Sequence, residues 1–492
     1  MEPDPNKGAS PAGLSQRTLG VPAITLMVIA ASAPLTGAAG GVATAYAVSG
    51  SKGVPLGIFI VAVILAVFAV GYSAMSRFIT NAGAFYSYIA QGLGRPLGVG
   101  AALIALVAYN AMQVGIYGLF GFQLAIFLGA KFGIASPWWL WIVLCIVVVG
   151  VLGVNKIDLS AKVLGTLVAF EFVVVLFFDV VALAAAPEGI DTVTLQPAEL
   201  FGPALGIVLV FSVASFMGFE GAAIYGEEAK DPKRTISRAT FAAIAIIGIF
   251  YTFTAWAFSI GIGPGQIVAQ ARERGPDLMF VFMGKQVGTL VADVMMLLFL
   301  TSVFAALQSF HNAVARYFFS LGREGVLPAW FAQTSRHGAP WAGSVAQTAI
   351  ALVLTIGFAL YGIVFGGYAT WGEELFPVLT MFTWLTNTGA MGLTLLMAVI
   401  ALAVIGFFRA SRRGLTLWST FAAPVVSGLL LLWIFVQILV NFHVQMGQER
   451  PTLGTYVLPL VVLLAGVVGV FWGLRLRTSN PAVYRRIGHG TD

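Results

Sequence analysis

Twelve apolar runs, each near the length at which a helix crosses a bilayer, follow one another along the chain with short polar connections. A helix rises 1.5 Å per residue, so a hydrocarbon core of about 30 Å takes about 20 apolar residues. The runs cover residues 21–46, 53–76, 97–128, 138–155, 159–186, 201–226, 237–262, 287–320, 342–363, 377–408, 415–442 and 453–476. In lipid every backbone polar group must find its partner within the chain, so the runs are read as helices. Composition agrees: 59% of the 492 residues are hydrophobic and only 9% charged, against about a quarter charged in soluble domains. The expected fold class is an all-α polytopic membrane protein with 12 transmembrane helices, and no polar stretch is long enough for a large soluble domain.

The net charge of +6 follows from topology. With the N-terminus placed inside, only Lys52, Lys131, Arg272, Arg274, Lys285 and Arg450 of the 26 Lys and Arg fall outside, leaving 20 inside. Cytoplasmic loops carry such an excess, so both termini are expected in the cytoplasm and the chain in the plasma membrane. The basic balance therefore gives no reason to invoke a nucleic-acid partner. Cys145 is the only cysteine, so no intrachain disulfide can form. Residues 1–20 read as a cytoplasmic tail without a cleavable signal pattern, because the apolar run after them continues as a span.

Two runs are interrupted. In the first, Ser32-Ala33-Pro34-Leu35-Thr36-Gly37 is followed by Gly40-Gly41. Pro34 removes a backbone donor and clashes with the preceding turn. In the sixth, Phe211-Ser212-Val213-Ala214-Ser215-Phe216-Met217-Gly218-Phe219-Glu220 places Ser, Gly and a carboxylate inside an apolar run. Lipid tolerates unpaired backbone or a bare carboxylate only where protein encloses a cavity. The interruptions lie five spans apart, an odd number, so a second five-span unit would be inverted in the membrane. Paired broken helices at equivalent positions point to an inverted-repeat transporter with its site at the midplane. The expected organisation is a tail (1–20), a first repeat (21–186), a second repeat (201–408), two further helices (415–476) and a tail (477–492).

Three motifs carry a resemblance to the amino acid–polyamine–organocation (APC) transporter superfamily. Gly218-Phe219-Glu220, Glu227-Glu228, Asp231-Pro232-Lys233-Arg234 and Ala239 are similar to the superfamily's G-F-E, E-E, N/D-P-x-R run. Asn312, Arg316 and Leu321-Gly322-Arg323-Glu324-Gly325-Val326-Leu327-Pro328 resemble its stretch after span 8. Asn81-Ala82-Gly83-Ala84-Phe85-Tyr86-Ser87-Tyr88 resembles its segment after span 2. The resemblance extends over essentially the whole chain. It implies a LeuT-type 5+5 inverted repeat with solute held at the broken centres of spans 1 and 6.

The chain departs from that pattern in three places. Relatives usually hold a substrate carboxylate on backbone N–H groups of a Gly-x-Gly segment in span 1, where this chain has Pro34. Many carry an aromatic gate six residues before the span-6 acid; here Ala214 stands there, leaving Phe211 or Phe216 to serve. Many carry a lysine midway along span 5, and here Glu171 takes that place.

Four carboxylates fall within apolar runs: Glu171, Asp179, Glu220 and Asp293. An ionised carboxylate in hydrocarbon is costly, so each must be paired, hydrated or protonated. Glu171 and Glu220 are the candidates for proton coupling, with a purely structural hydrogen-bonding role as the alternative for each. Asp179 and Asp293 are expected nearer the outer face, interfacial, solvated or paired. Candidate solute-binding residues are Ser32, Thr36 and Gly37 from span 1, Ser212, Ala214, Ser215, Phe216 and Gly218 from span 6, and Tyr109 and Asn110 from span 3. Exposed half-helix ends suit a zwitterion, N–H groups facing a carboxylate and carbonyls an ammonium. Phe211, Phe216, Glu227, Arg316 and Arg323 are candidate gate residues, with salt bridges expected in the Glu227–Arg238 and Arg316–Glu324 loops. His311 reads as a structural histidine, with a proton shuttle as the alternative.

No H-E-x-x-H, C-x-x-C or P-loop motif is present, so a metal, a cofactor or direct ATP drive is not expected. An embedded enzyme would need a nucleophile with a base in one plane, and none is found. A sensor would normally append a cytoplasmic domain, and the tails read as too short for one. The expected function is a secondary transporter of amino acids working by alternating access with protons as the coupling ion. An amine or polyamine exchanger is the runner-up. A small-molecule solute, protons and the bilayer are the expected partners, and nothing in the sequence sets an oligomeric state.

Overall fold

A computed structural model of the chain describes residues 19–79, 84–155, 161–227, 229–336 and 338–488. Within them, 11 helices are long and apolar enough to cross a membrane, and Trp138–Val154 is a shorter apolar helix of 17 residues. Numbered along the chain, the spans are 1, Val21–Ser49; 2, Val54–Ser76; 3, Arg95–Phe132; 4, Trp138–Val154; 5, Ala161–Ala185; and 6, Leu205–Phe216 continued by Phe219–Glu227. They go on as 7, Pro232–Ile262; 8, Thr289–Glu324; 9, Trp341–Ile363; 10, Pro377–Phe408; 11, Trp418–Val440; and 12, Leu453–Ser479. The protein is all-α and polytopic.

Local chemistry sets the ends. Spans 2, 3 and 7 carry Pro55, Pro96 and Pro232 in their first turns, where the missing N–H has no intrahelical partner to lose. Span 3 stops at Gly133, in the left-handed conformation at φ 67°, whose N–H caps the Gly129 carbonyl. Short helices that were not anticipated include Ala84–Leu93 between spans 2 and 3, and Ile267–Arg274 and Leu278–Gln286 between spans 7 and 8. Ala84–Leu93 is amphipathic rather than apolar throughout and buries Phe85, Tyr86, Tyr88 and Ile89. The matching motif residues Asn81, Ala82 and Gly83 lie outside the described residues, as do Lys156, Glu228, His337 and His489.

Span 3 is the central pillar. Small residues let its neighbours approach to backbone contact. A Cβ at Gly389 of span 10 would meet the Ala108 carbonyl at 2.7 Å, and one at Gly469 of span 12 would meet the Gly100 Cα at 2.6 Å. Outward faces stay apolar: Phe170 and Val173 of span 5, Val353 and Ile356 of span 9, and Val468 and Phe471 of span 12 are exposed, as lipid-facing side chains are.

The packing selects among the alternatives for Asp179 and corrects a second expectation. Asp179 is paired rather than solvated. It is 1% exposed, and its Oδ2 accepts a hydrogen bond from Thr254 Oγ1 of span 7 at 2.9 Å. The stretch read as a loop from Arg316 to Glu324 is the helical end of span 8, closed by Gly325 at φ 82°. Helical geometry turns Arg323 over the Phe319 ring at 5.6 Å, and Glu324 accepts from the Gly488 N–H at 3.1 Å. Asp293 pairs with Lys131 at 2.7 Å and is half-buried.

Candidate solute site

Span 1 breaks where proline demands it. The helix Val21–Ser32 ends at Ala33, which adopts φ 46° and caps the Ile29 and Ala30 carbonyls. Pro34 follows, with no N–H to give. The chain restarts at Leu35 and is π-wound over Thr36–Val42. The Leu35 N–H donates to Oε2 of Glu171 at 3.2 Å, and the Ser302 hydroxyl of span 8 donates to the same oxygen at 2.7 Å. Thr36 Oγ1 lies 2.9 Å from Ser302 Oγ. With Glu171 ionised, Ser302 gives its one hydrogen to the carboxylate, and Thr36 is the donor in that pair. Tyr251 of span 7 braces the other side, donating to the Ser32 carbonyl at 2.9 Å and the Ala33 carbonyl at 3.3 Å. Its ring lies so close to Gly37 that a Cβ there would collide with the hydroxyl.

Span 6 breaks at glycine. The helix Leu205–Phe216 stops, Met217 bonds back to the Ala214 carbonyl, and Gly218 takes φ 106°, a conformation that disfavours any side chain. Glu220 then reaches back: its Oε2 accepts from the Gly218 N–H at 3.0 Å, and its Oε1 from the Tyr109 hydroxyl at 2.7 Å. The Tyr72 hydroxyl holds the Glu220 backbone carbonyl at 3.1 Å. Tyr109, a candidate binding residue, thus serves the span-6 carboxylate.

A cavity of about 60 Å³ lies between the two breaks. Of the candidate residues, Ser32, Thr36, Gly37, Phe211, Ala214 and Ser215 are on its wall. Ser212 is buried with its hydroxyl on the Val208 carbonyl, and Asn110 bonds the Leu106 carbonyl. Phe216, Gly218, Tyr109 and Asn110 are not on the wall, and neither are Glu171 and Glu220. The sequence reading missed Met112 and Ile116 of span 3, Phe310 of span 8, and Phe382 and Thr386 of span 10. These are ordinary apolar or threonine residues in unbroken helix, and no local signal marks them. A wider cavity of about 310 Å³ lies one turn further along spans 1 and 10, where Thr44, Leu379 and Arg272 line it.

At the opposite end, the start of span 1 is tied to the connection after span 6. The Lys230 N–H donates to the Leu19 carbonyl at 2.9 Å. Glu227 ends span 6, but its side chain lies outside the described ones. Arg316 sits within span 8. His311 is buried with Nε2 2.6 Å from Ser344 Oγ, a satisfied interhelical contact. Among the described residues no cluster of three or more His, Cys, Asp or Glu is placed to hold a metal ion.

The arrangement of two broken spans around one cavity can be set beside known proteins. A family model described as amino acid permease matches residues 19–468. The chain belongs to the amino acid permease family. The match agrees with the APC superfamily resemblance carried by the three motifs. This permease is similar to the lysine-specific permease LysP of Lactococcus lactis subsp. cremoris (strain MG1363), 32% identical over 33% of this chain and 32% of the relative. It is also similar to an uncharacterized transporter of Rhizobium meliloti (strain 1021), 26% identical over 59% of this chain and 63% of the relative. A third relative is the low-affinity putrescine importer PlaP of Escherichia coli (strain K12), 24% identical over 54% of this chain and 58% of the importer. The chain thus spans between 32% and 63% of the length of these relatives.

Proposed function

We propose that this permease is a secondary transporter that moves an amino acid or a related amine across the plasma membrane by alternating access, coupled to protons through Glu171. One observation carries the reading. A buried carboxylate on span 5 holds both the restart of span 1, at the Leu35 N–H, and the Ser302–Thr36 pair that reaches the cavity wall. Ionised, Glu171 is an acceptor for both donors. Protonated, it becomes a donor itself and loses acceptor strength, which loosens the broken segment. Proton occupancy and the shape of the site are then two faces of one equilibrium.

Glu220 is assigned the task of holding the span-6 break, since both its oxygens are engaged by Tyr109 and Gly218. Phe211 and Phe382 are both on the cavity wall and are taken as the gate candidates on its outer side. The backbone tie from Leu19 to Lys230 is the inner one. The repeats are taken as 21–186 and 201–408, supported by extra short helices that follow the second span of each. Both termini are placed in the cytoplasm by the Lys/Arg excess. The names of the lysine and putrescine relatives support an amine-bearing solute.

The test is uptake by purified protein in proteoliposomes with an imposed inward proton gradient, against a panel of amino acids and amines. Accumulation that collapses when the gradient is dissipated supports the reading. Uptake that needs preloaded solute and ignores the gradient removes proton coupling and leaves an exchanger.

A further inference from the structure

We propose that the central cavity takes an organic amine without a carboxylate, because the N–H groups at both breaks are already held by the chain's own glutamates. The inference rests on the transport reading above and names the class of solute.

The donors come first. A carboxylate in a broken-helix site must be met by N–H groups at the restarts, by hydroxyl hydrogens or by a cation. At span 1, Pro34 has no N–H and that of Leu35 is held by Glu171. At span 6, the Gly218 N–H is held by Glu220. The hydroxyls on the wall have also given their hydrogens to the protein. Ser32 donates to the Ile29 carbonyl at 2.8 Å, Ser215 to the Phe211 carbonyl at 3.0 Å, and Thr386 to the Phe382 carbonyl at 2.7 Å. With Glu171 ionised, Thr36 donates to Ser302, whose own hydrogen is on Glu171. No Lys, Arg or His is among the described wall residues.

What the side chains of this wall still offer is acceptor. Each of the four hydroxyls keeps lone pairs after donating. The first halves of spans 1 and 6 both end at the cavity, where Ser32 and Ala33, and Ser215 and Met217, are on the wall, so two negative helix ends converge there. An ammonium finds complements in these groups and in the rings of Phe211, Phe310 and Phe382, whose faces attract a cation. A carboxylate would be buried without donors, a cost ordinary binding does not recover. The same wall that suits the amine end of an amino acid rejects its acid end.

The experiment compares matched pairs that differ only by the carboxylate: isoamylamine with leucine, phenethylamine with phenylalanine, and cadaverine with lysine. Equilibrium binding of each radiolabelled compound is measured on the full-length protein in detergent. Gradient-driven uptake is measured in parallel in proteoliposomes. At least one amine is expected to bind about tenfold or more tighter than its amino acid, the scale of one unpaired buried group. An amino acid that binds as tightly as its amine overturns the proposal, and so does the absence of binding by every amine. Two variants sharpen it. Pro34→Gly restores an N–H at the break and is expected to narrow the gap between amine and amino acid. Thr386→Val removes an acceptor of similar shape and is expected to weaken the amine several-fold while leaving the amino acid's weak binding in place. A ratio unmoved in both variants overturns the donor argument. Amine binding without gradient-driven uptake would instead sink the transport reading and leave this one standing.

Discussion

Leu35 and Glu171 lie 136 positions apart in the chain, and the Leu35 N–H donates to the Glu171 carboxylate at 3.2 Å. The bond exists because Pro34 ends one helical segment and leaves the first donor of the next without an intrahelical partner. It joins the break of span 1 to span 5, and Ser302 extends the join to span 8. One carboxylate is thereby bonded to two other helices.

Glu171→Gln is expected to abolish the stimulation of uptake by external acid while leaving a folded, monodisperse protein. Glutamine keeps a carbonyl that accepts from Leu35, so the break survives; what is lost is the change between charge states. The check is initial uptake rate between about pH 5 and 8, alongside size-exclusion chromatography. In the native protein the rate is expected to rise as external pH falls. The same slope in the variant removes Glu171 from coupling.

Asp179→Asn is expected to retain proton-driven uptake within about twofold. Asp179 is buried two turns along the same helix, yet its partner is Thr254 rather than either break. Asparagine can accept the same hydroxyl hydrogen. Flat pH dependence in this variant would move coupling from Glu171 towards Asp179.

Tyr251→Phe removes the hydroxyl that holds the Ser32 and Ala33 carbonyls and is expected to cost about 0.5–1.5 kcal/mol. Gly37→Ala drives a methyl group into that hydroxyl and is expected to cost more, with uptake lost. Combining the two should recover only a small part of the loss, since the phenyl ring loses the clashing oxygen but keeps the Cζ and Cε1 carbons that the methyl group also meets. A double variant as poor as the sum of both singles, read from thermal midpoints and uptake, would show the two sites are not in contact.

Glu220→Ala is expected to destabilise the protein by several times the cost of Tyr109→Phe. The first leaves the Tyr109 hydroxyl and the Gly218 N–H unpaired in a buried place, at about 1–3 kcal/mol each. The second removes one donor and leaves Glu220 bonded to Gly218. Equal losses in thermal midpoint would place the stabilisation elsewhere.

Ala214→Phe fills a cavity of about 60 Å³ from its wall. Bulky solutes are expected to be lost first, with small ones retained at a raised KM. Loss of small and large solutes in equal proportion would show that the substitution acts on folding or gating rather than on volume.

Both breaks were readable in sequence because their causes are local. Proline lacks an N–H wherever it stands, and Ser, Gly and Glu within an apolar run announce backbone that lipid would not accept. The helix from Ala84 to Leu93 was not readable as a separate element, since ten half-apolar residues beside a span carry no length signal. Tyr109 and Asn110 looked like wall residues because a polar turn in a span invites that reading; the first instead bonds Glu220 and the second its own helix.

The sequence by itself determined that this chain crosses the membrane many times, that spans 1 and 6 are interrupted, and that Glu171 and Glu220 must find partners. Each of these follows from the residue's own chemistry set against a bilayer of known thickness. Only the tertiary structure decided which atoms meet. Phe310, Phe382 and Thr386 became the wall of the site, Glu171 found Leu35, and the hydroxyls turned their hydrogens away from the cavity. An apolar residue in a membrane helix reads the same whether it faces lipid, a neighbouring helix or a solute. That choice is made by the packing of helices more than a hundred residues apart in the chain.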